Sequence, residues 1–135
     1  MKLWPALVFA CVLACVTGAR AQTFPTRPIT LVVPYAASGN VDVSTRILQG
    51  ALGDSLGQPV IVENRPGAGT AIGTEYVAKA KPDGYTILMA GSNAFYFKYT
   101  NKLNFDPNKE LTPVALSNSI PLVFAVHPSV PAKNM

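Results

Sequence analysis

Hydrophobic residues in this chain fall into short β-branched runs separated by longer stretches with helical spacing. Residues 29–34 read Ile-Thr-Leu-Val-Val-Pro, a run suited to a strand buried on both faces. Pro34 has no N–H to donate and ends it. Val43, Ile47, Ala51 and the pair Leu52/Leu56 then recur at helical spacing, which predicts a helix starting near residue 40. Asn40 and Asp42 are both candidates for its cap, and Gly57 supplies the stop. Residues 59–63 (Pro-Val-Ile-Val-Glu) predict a second strand and 64–69 a loop. A second helix follows over 70–81, with Ile72, Tyr76, Val77 and Ala80 on one face. Lys81-Pro82-Asp83-Gly84 is a turn, because Pro fixes φ and Asp-Gly accepts positive φ. Residues 85–90 predict a third strand. The order β-α-β-α-β with short joints implies a parallel sheet with helices on both faces, the α/β class. Right-handed crossovers line the strands' C-terminal ends along one edge. Farther on the pattern loosens: 94–100 predicts a short helix, 104–108 a turn, and 112–117 and 121–126 extended chain.

Residues 1–21 predict a cleavable export signal. Lys2 gives the positive start, residues 3–16 are apolar, and Ala19-Arg20-Ala21 fits a small-x-small cleavage site. The apolar run is shorter than the roughly 20 residues that span a bilayer. Val12-Leu13-Ala14-Cys15 loosely resembles a lipobox, which makes a lipid-anchored form the lesser alternative. Both cysteines, Cys11 and Cys15, lie in this leader, so the exported chain has no disulfide or thiol chemistry even though its compartment permits disulfides. Lys2 and Arg20 leave with the leader, and the net charge of +4 falls by two. The remaining Lys and Arg form no cluster, so nucleic acid is not an expected partner. Residues 22–135 suffice for one domain burying roughly 60% or more of its unfolded surface. With 49% hydrophobic and 13% charged residues, disorder is not expected.

Three loops meet at the predicted C-terminal edge, where ligands bind in open α/β sheets. The first contributes Tyr35, Ala36, Ala37, Ser38, Gly39, Asn40 and Asp42; the second Gly69 and Thr70; the third Gly91, Ser92 and Asn93. Their small residues let backbone N–H groups approach a ligand closely. The first loop runs from a strand into a helix, which turns N–H groups toward a bound anion. Asp42 has two open roles: an i,i+4 pair with Arg46, worth about 0.2–0.5 kcal/mol, or a pocket-facing acceptor. Gly67-x-Gly69-x-x-x-Gly73 approximates a dinucleotide fingerprint, but Asn64-Arg65-Pro66 separates it from the strand and no acid follows the next strand for a ribose. Ser38 lies in Ala-Ala-Ser-Gly rather than a nucleophile elbow, and His127 is the only histidine, in an extended segment. One histidine and scattered carboxylates make no metal site, and no cofactor is expected. Glu63, Arg65, Lys79 and Lys81 read as solvated surface.

Several motifs carry a resemblance to a known family. Arg27-Pro28-Ile29 precedes Val32-Val33-Pro34-Tyr35 and Gly39-x-x-Asp42. A long block runs Leu56-Gly57-Gln58-Pro59-Val60-Ile61-Val62-Glu63-Asn64-Arg65-Pro66-Gly67-Ala68-Gly69. Pro82-Asp83-Gly84-Tyr85-Thr86, Phe105-Asp106-Pro107 and His127-Pro128-Ser129-Val130-Pro131 complete the series. The chain resembles the periplasmic solute-binding receptors of tripartite tricarboxylate transporters, the Bug or TctC-type family. The resemblance implies a two-lobed, type II periplasmic-binding fold without enzymatic activity. Such a receptor captures organic acids and hands them to a membrane permease. It also implies that the carboxylate is held through backbone amides and waters of the first loop, here Tyr35, Ala36, Ala37, Ser38, Gly39 and Asp42. Two departures are local: Ser38 stands where the family commonly has Gly, and Tyr96-Phe97 where it often has Asn-Pro. The third is length, since family members are more than twice as long. Residues 22–120 then correspond to the N-terminal part of the first lobe, incomplete here. Residues 121–135 correspond to the crossover strand and the start of a second lobe whose remainder is missing. The alternatives are an autonomous single-lobe secreted binding protein and, more remotely, a secreted hydrolase.

Overall fold

The computed structural model describes residues 24–121, 123, 125–127 and 129–130; the predicted leader lies outside them. Strand β1 (Ile29–Val33) is followed by helix α1 (Asn40–Leu56), strand β2 (Val60–Asn64), a 3₁₀ turn (Ala68–Thr70) and helix α2 (Ala71–Ala78). Strand β3 (Thr86–Leu88) and the short helices α3 (Asn93–Thr100) and α4 (Pro107–Glu110) come next. The sheet is parallel throughout, in the order β2-β1-β3. The chain steps from β1 to one neighbour through α1, then back across β1 to the other through α2. Right-handed crossovers in opposite directions place the two helices on opposite faces. This is the α/β arrangement expected from the sequence.

β1 is central, and its side chains alternate between two cores. Ile29 and Leu31 join Val60, packed by Leu52 and Leu56 of α1 and by Tyr85, Ile87 and Met89. Val32 is fully buried on the other side, where α2 contacts β1 and β3 and is joined by α3 and α4. Burying a Leu or Val side chain of this kind contributes about 1.5–3 kcal/mol.

The helices bury only part of each apolar stripe that their spacing predicts: Leu52 and Leu56 of α1 and Val77 of α2 turn inward, while Val43, Ile47, Ala51, Ile72 and Tyr76 turn outward. Val43 is 48% and Ile47 73% exposed, and Ala51 is exposed too; the buried residues of α1 are Asp42 and Thr45, with Leu52 and Leu56 half-buried below them. In α2, Ile72 and Tyr76 are exposed and Gly73, Thr74 and Val77 are buried. The reason is local. Thr45 Oγ1 donates to the Val41 carbonyl at 2.6 Å and Thr74 Oγ1 to the Thr70 carbonyl at 2.9 Å. Each hydroxyl is satisfied within its own helix, so each threonine packs as a small apolar residue. Gly73 lets α2 approach the first loop: a Cβ there would stand 2.8 Å from that of Pro34. The expected terminal stop is present, with Gly57 at φ 65°. Gly84 likewise adopts φ 82° in the 81–84 turn.

Two further differences concern residues 104–108 and Arg65. The turn expected at 104–108 is a helical turn, α4, capped by Asp106, whose carboxylate accepts from the Asn108 N–H at 3.1 Å. Residues 112–117, and the described residues of 121–126, join neither helix nor sheet. Arg65 is more than solvated surface: its guanidinium lies 3.7 Å from the Tyr76 ring centre and pairs with Glu63 at 2.6 Å.

Candidate functional site

The first loop leaves β1 at Pro34, which is buried, and turns outward at once: Ala36, Ala37, Ser38 and Asn40 are exposed. Ser38 takes φ 65°, a left-handed conformation that a non-glycine residue adopts at a cost. What holds it is Asp42. The Ser38 N–H donates to Asp42 Oδ2 at 2.8 Å, Arg46 Nε donates to the same oxygen at 3.0 Å, and Asn64 Nδ2 donates to Oδ1 at 2.9 Å. Arg46 also donates to Asn64 Oδ1 at 3.0 Å, and Asn64 Nδ2 lies 3.2 Å from the Tyr35 carbonyl. Neither Asn40 nor Asp42 is the cap. Gly39 holds that position with no side-chain bond, and Asp42 reaches backward from the first turn instead. Asp42 is 2% exposed. Hydrogen bonds from Arg46, Ser38 and Asn64 outweigh burial and pull its pKa from the ordinary 3.8 to about 2. Of the two roles weighed for Asp42, the pair with Arg46 is present; its oxygens are otherwise taken by Ser38 and Asn64, which makes it the anchor of the loop.

With Asp42 engaged in this way, the start of α1 is left with free donors. Among the described residues, the N–H groups of Asn40, Val41 and Asp42 have no acceptor. A 17-residue helix presents partial positive charge at this end. The exposed Ala36, Ala37 and Ser38 add backbone at the same place with little side chain to obstruct approach.

The other two loops join the first. Tyr35 Oη accepts from the Gly91 N–H at 3.0 Å and donates to Asn93 Oδ1, tying the first loop to the third. Gly69 adopts φ 63°, and a Cβ there would stand 2.1 Å from the Phe97 ring of α3. The second loop therefore needs glycine twice over, for its backbone and for its neighbour. Thr70 has φ 91°, is 5% exposed, and its Oγ1 is buried without a hydrogen-bond partner among the described residues. Ser92 precedes α3 and is exposed, as is Asn93. Sequence reasoning passed over Asn64 and Phe97. Asn64 had a signal, a polar residue closing an apolar strand; Phe97 stood out only as half of the Tyr96-Phe97 departure, and the fold alone brings it over Gly69.

An open hollow of about 650 Å³ runs along α1 beside Gln49, Gly53, Gly57 and Pro59, away from these loops. It is a shallow groove between the helix side and the start of β2. Among the described residues, no group of three His, Cys, Asp or Glu side chains lies close enough to hold a metal ion. His127 interacts with Ser129 Oγ at 2.7 Å, within its own turn. No helix among them is long and apolar enough to cross a membrane.

Comparisons with known proteins converge. A family model described as "Tripartite tricarboxylate transporter family receptor" matches residues 44–135. Protein BugT of Bordetella pertussis is 42% identical over 113 residues, covering 82% of this chain and 35% of that protein. A UPF0065 protein of Bordetella bronchiseptica is 47% identical over 113 residues, covering 82% and 34%. Among solved structures, MatC from Rhodopseudomonas palustris with bound malate is similar at a TM-score of 0.60 and 39% identity, over 69% of this chain and 32% of that one. The chain spans about a third of the length of the curated relatives it matches.

Proposed function

The chain belongs to the tripartite tricarboxylate transporter receptor family, and from that premise we propose that it binds small organic acids, with the loop between Pro34 and Asp42 gripping a carboxylate. One observation carries this most directly: the acceptor-free N–H groups of Asn40, Val41 and Asp42 open a long helix behind an exposed loop of small residues. Tyr35, Ala36, Ala37, Ser38 and Gly39 complete the grip on that side. Gly69, Thr70, Gly91, Ser92 and Asn93 form the adjoining rim. The malate held by the Rhodopseudomonas neighbour supports a di- or tricarboxylate as the ligand class.

The remainder follows from the family. Residues 1–21 direct export to the periplasm and are removed. Residues 22–120 form part of a first lobe, and 121–135 lead into a second. The bound acid is passed to a membrane permease. The protein is a receptor and not an enzyme.

A receptor holding its ligand at 1 μM has about −8 kcal/mol of binding free energy; one lobe supplying half of that binds near 1 mM. Amide NMR of the chain titrated with sodium malate, succinate and citrate tests this. Shifts at residues 36–42 that saturate at millimolar ligand are the expected result. No shift there with any of the three acids up to 50 mM would overturn the proposal.

A further inference from the structure

Tyr35 stands in the proposed site for its backbone, but its hydroxyl does something of its own. A phenol carries one hydrogen and accepts on its other side. Here the Gly91 N–H takes the accepting side at 3.0 Å, so the hydrogen goes to Asn93 Oδ1. That choice fixes which way the Asn93 carboxamide faces. Its oxygen accepts from Tyr35, and its Nδ2, on an exposed residue, has no acceptor among the described residues and is free to donate to a ligand. Gly91 is fitted to the same arrangement: a Cβ there would lie 3.2 Å from Asn93 Oδ1 and 3.3 Å from Tyr35 Oη, tight enough to displace one of them.

We infer that Tyr35 is a positioning residue that sets ligand polarity: its hydroxyl orients Asn93 so that the third loop offers two N–H donors, and no acceptor, to the bound carboxylate. This rests on the function proposed above and adds a second source of donors, on a different loop from α1. An oxygen in the same place would repel an anion; the orientation selects ionised acids over their neutral counterparts.

The test follows the Asn93 side-chain NH₂ and the Gly91 amide by NMR in the 135-residue chain, with sodium malate as probe. In the unaltered chain the Asn93 NH₂ signals move with malate alongside residues 36–42. Tyr35→Phe keeps the ring and removes the hydroxyl. It should speed exchange of the Gly91 amide with solvent at least tenfold, abolish the malate response of the Asn93 NH₂ group, and weaken malate binding about fivefold, the effect of one ordinary hydrogen bond. In an Asn93→Ala background the same change should alter affinity less than twofold, because Tyr35 acts through Asn93. Gly91→Ala, which presses on both Asn93 Oδ1 and Tyr35 Oη while leaving their side chains chemically intact, should reproduce the effect of Tyr35→Phe and serves if that variant folds poorly. Additive losses for Tyr35→Phe and Asn93→Ala would overturn this inference and leave the proposed function standing. No response to malate at residues 36–42 in the unaltered chain would overturn the function and this inference with it.

Discussion

Asn64 Nδ2 donates to Asp42 Oδ1 at 2.9 Å, so the last residue of β2 and the first turn of α1 share one carboxylate. The same carboxylate holds the Ser38 N–H, which makes it the point where the first loop is fastened to the sheet. Its pKa is lowered in the fold, from 3.8 to about 2. A lowered carboxylate pKa contributes stability that is fully present above the unfolded value and disappears as pH falls through the folded one. The contribution should therefore be complete above about pH 4 and be lost between there and pH 2. Asp42→Asn should lower the unfolding midpoint at pH 7 and flatten its acid dependence in this interval. Circular dichroism melts at half-unit pH steps check this; an unchanged acid slope in Asp42→Asn would return the network to a minor role. Asp106, held low by the ammonium of Lys98, titrates in the same direction and stays constant between the two proteins.

Gly69→Ala should destabilise the chain by more than 2 kcal/mol. Positive φ accounts for roughly 1 kcal/mol, and the new methyl would overlap a Phe97 ring only 2.1 Å away. Phe97→Ala should recover part of this loss when combined with Gly69→Ala, since it removes the overlap and leaves only the backbone term. Chemical denaturation of the two single variants and the double variant measures the coupling.

Ser38→Gly should stabilise by about 0.5–1 kcal/mol. Ser38 is exposed, buries no apolar surface, and sits at φ 65°, where glycine adopts the conformation without strain. Its N–H bond to Asp42 involves only the backbone and survives the change. A loss of stability in urea melts would show that the Ser38 hydroxyl contributes to the fold.

Thr70→Val should leave stability unchanged or raise it by about 1 kcal/mol, because it removes a buried hydroxyl that has no partner among the described residues while keeping shape and branching. Thermal melts check the sign. A drop of several degrees would place a bound water or another acceptor against Thr70 Oγ1.

Ile47→Lys should change stability by less than about 0.5 kcal/mol, whereas Leu52→Ala should cost about 2 kcal/mol or more. Both are apolar residues of one helix, but only Leu52 packs on the core formed by Ile29, Leu31 and Val60. Comparable losses would mean that the Val43–Ile47 face is covered in solution.

That last contrast marks the boundary of what the sequence reveals. Strands, helices and their order are legible because Pro34, Gly57 and the 81–84 turn punctuate them sharply. The sheet-facing sides of the helices are not, because α1 and α2 carry more apolar residues than one face can bury, and their close-packed positions are Thr45, Gly73 and Thr74 rather than the larger Ile47 or Ile72. At the edge of the sheet, the small residues of the first loop are visible in sequence, as is the logic of a strand running into a helix. The tie of that loop to the rest of the sheet is not, since Asn64 lies far along the chain from Asp42, and Gly91 and Asn93 far from Tyr35. Two contacts of the network have a local spacing, Ser38–Asp42 and Asp42–Arg46, and the second is the one its i,i+4 charge pattern made visible.

The strand order β2-β1-β3 has a consequence for how this chain comes to be folded. β1 is the first strand made and the last to be completed: its partners Val60 and Ile87 lie roughly 30 and 55 residues downstream of Ile29 and Leu31. Until Leu88 has emerged, the most apolar segment of the sheet has at least one bare flank. Parallel pairings over such distances form slowly. A chain built this way keeps an extended apolar strand open while it is being synthesised, the state in which a holding chaperone has a strand to bind.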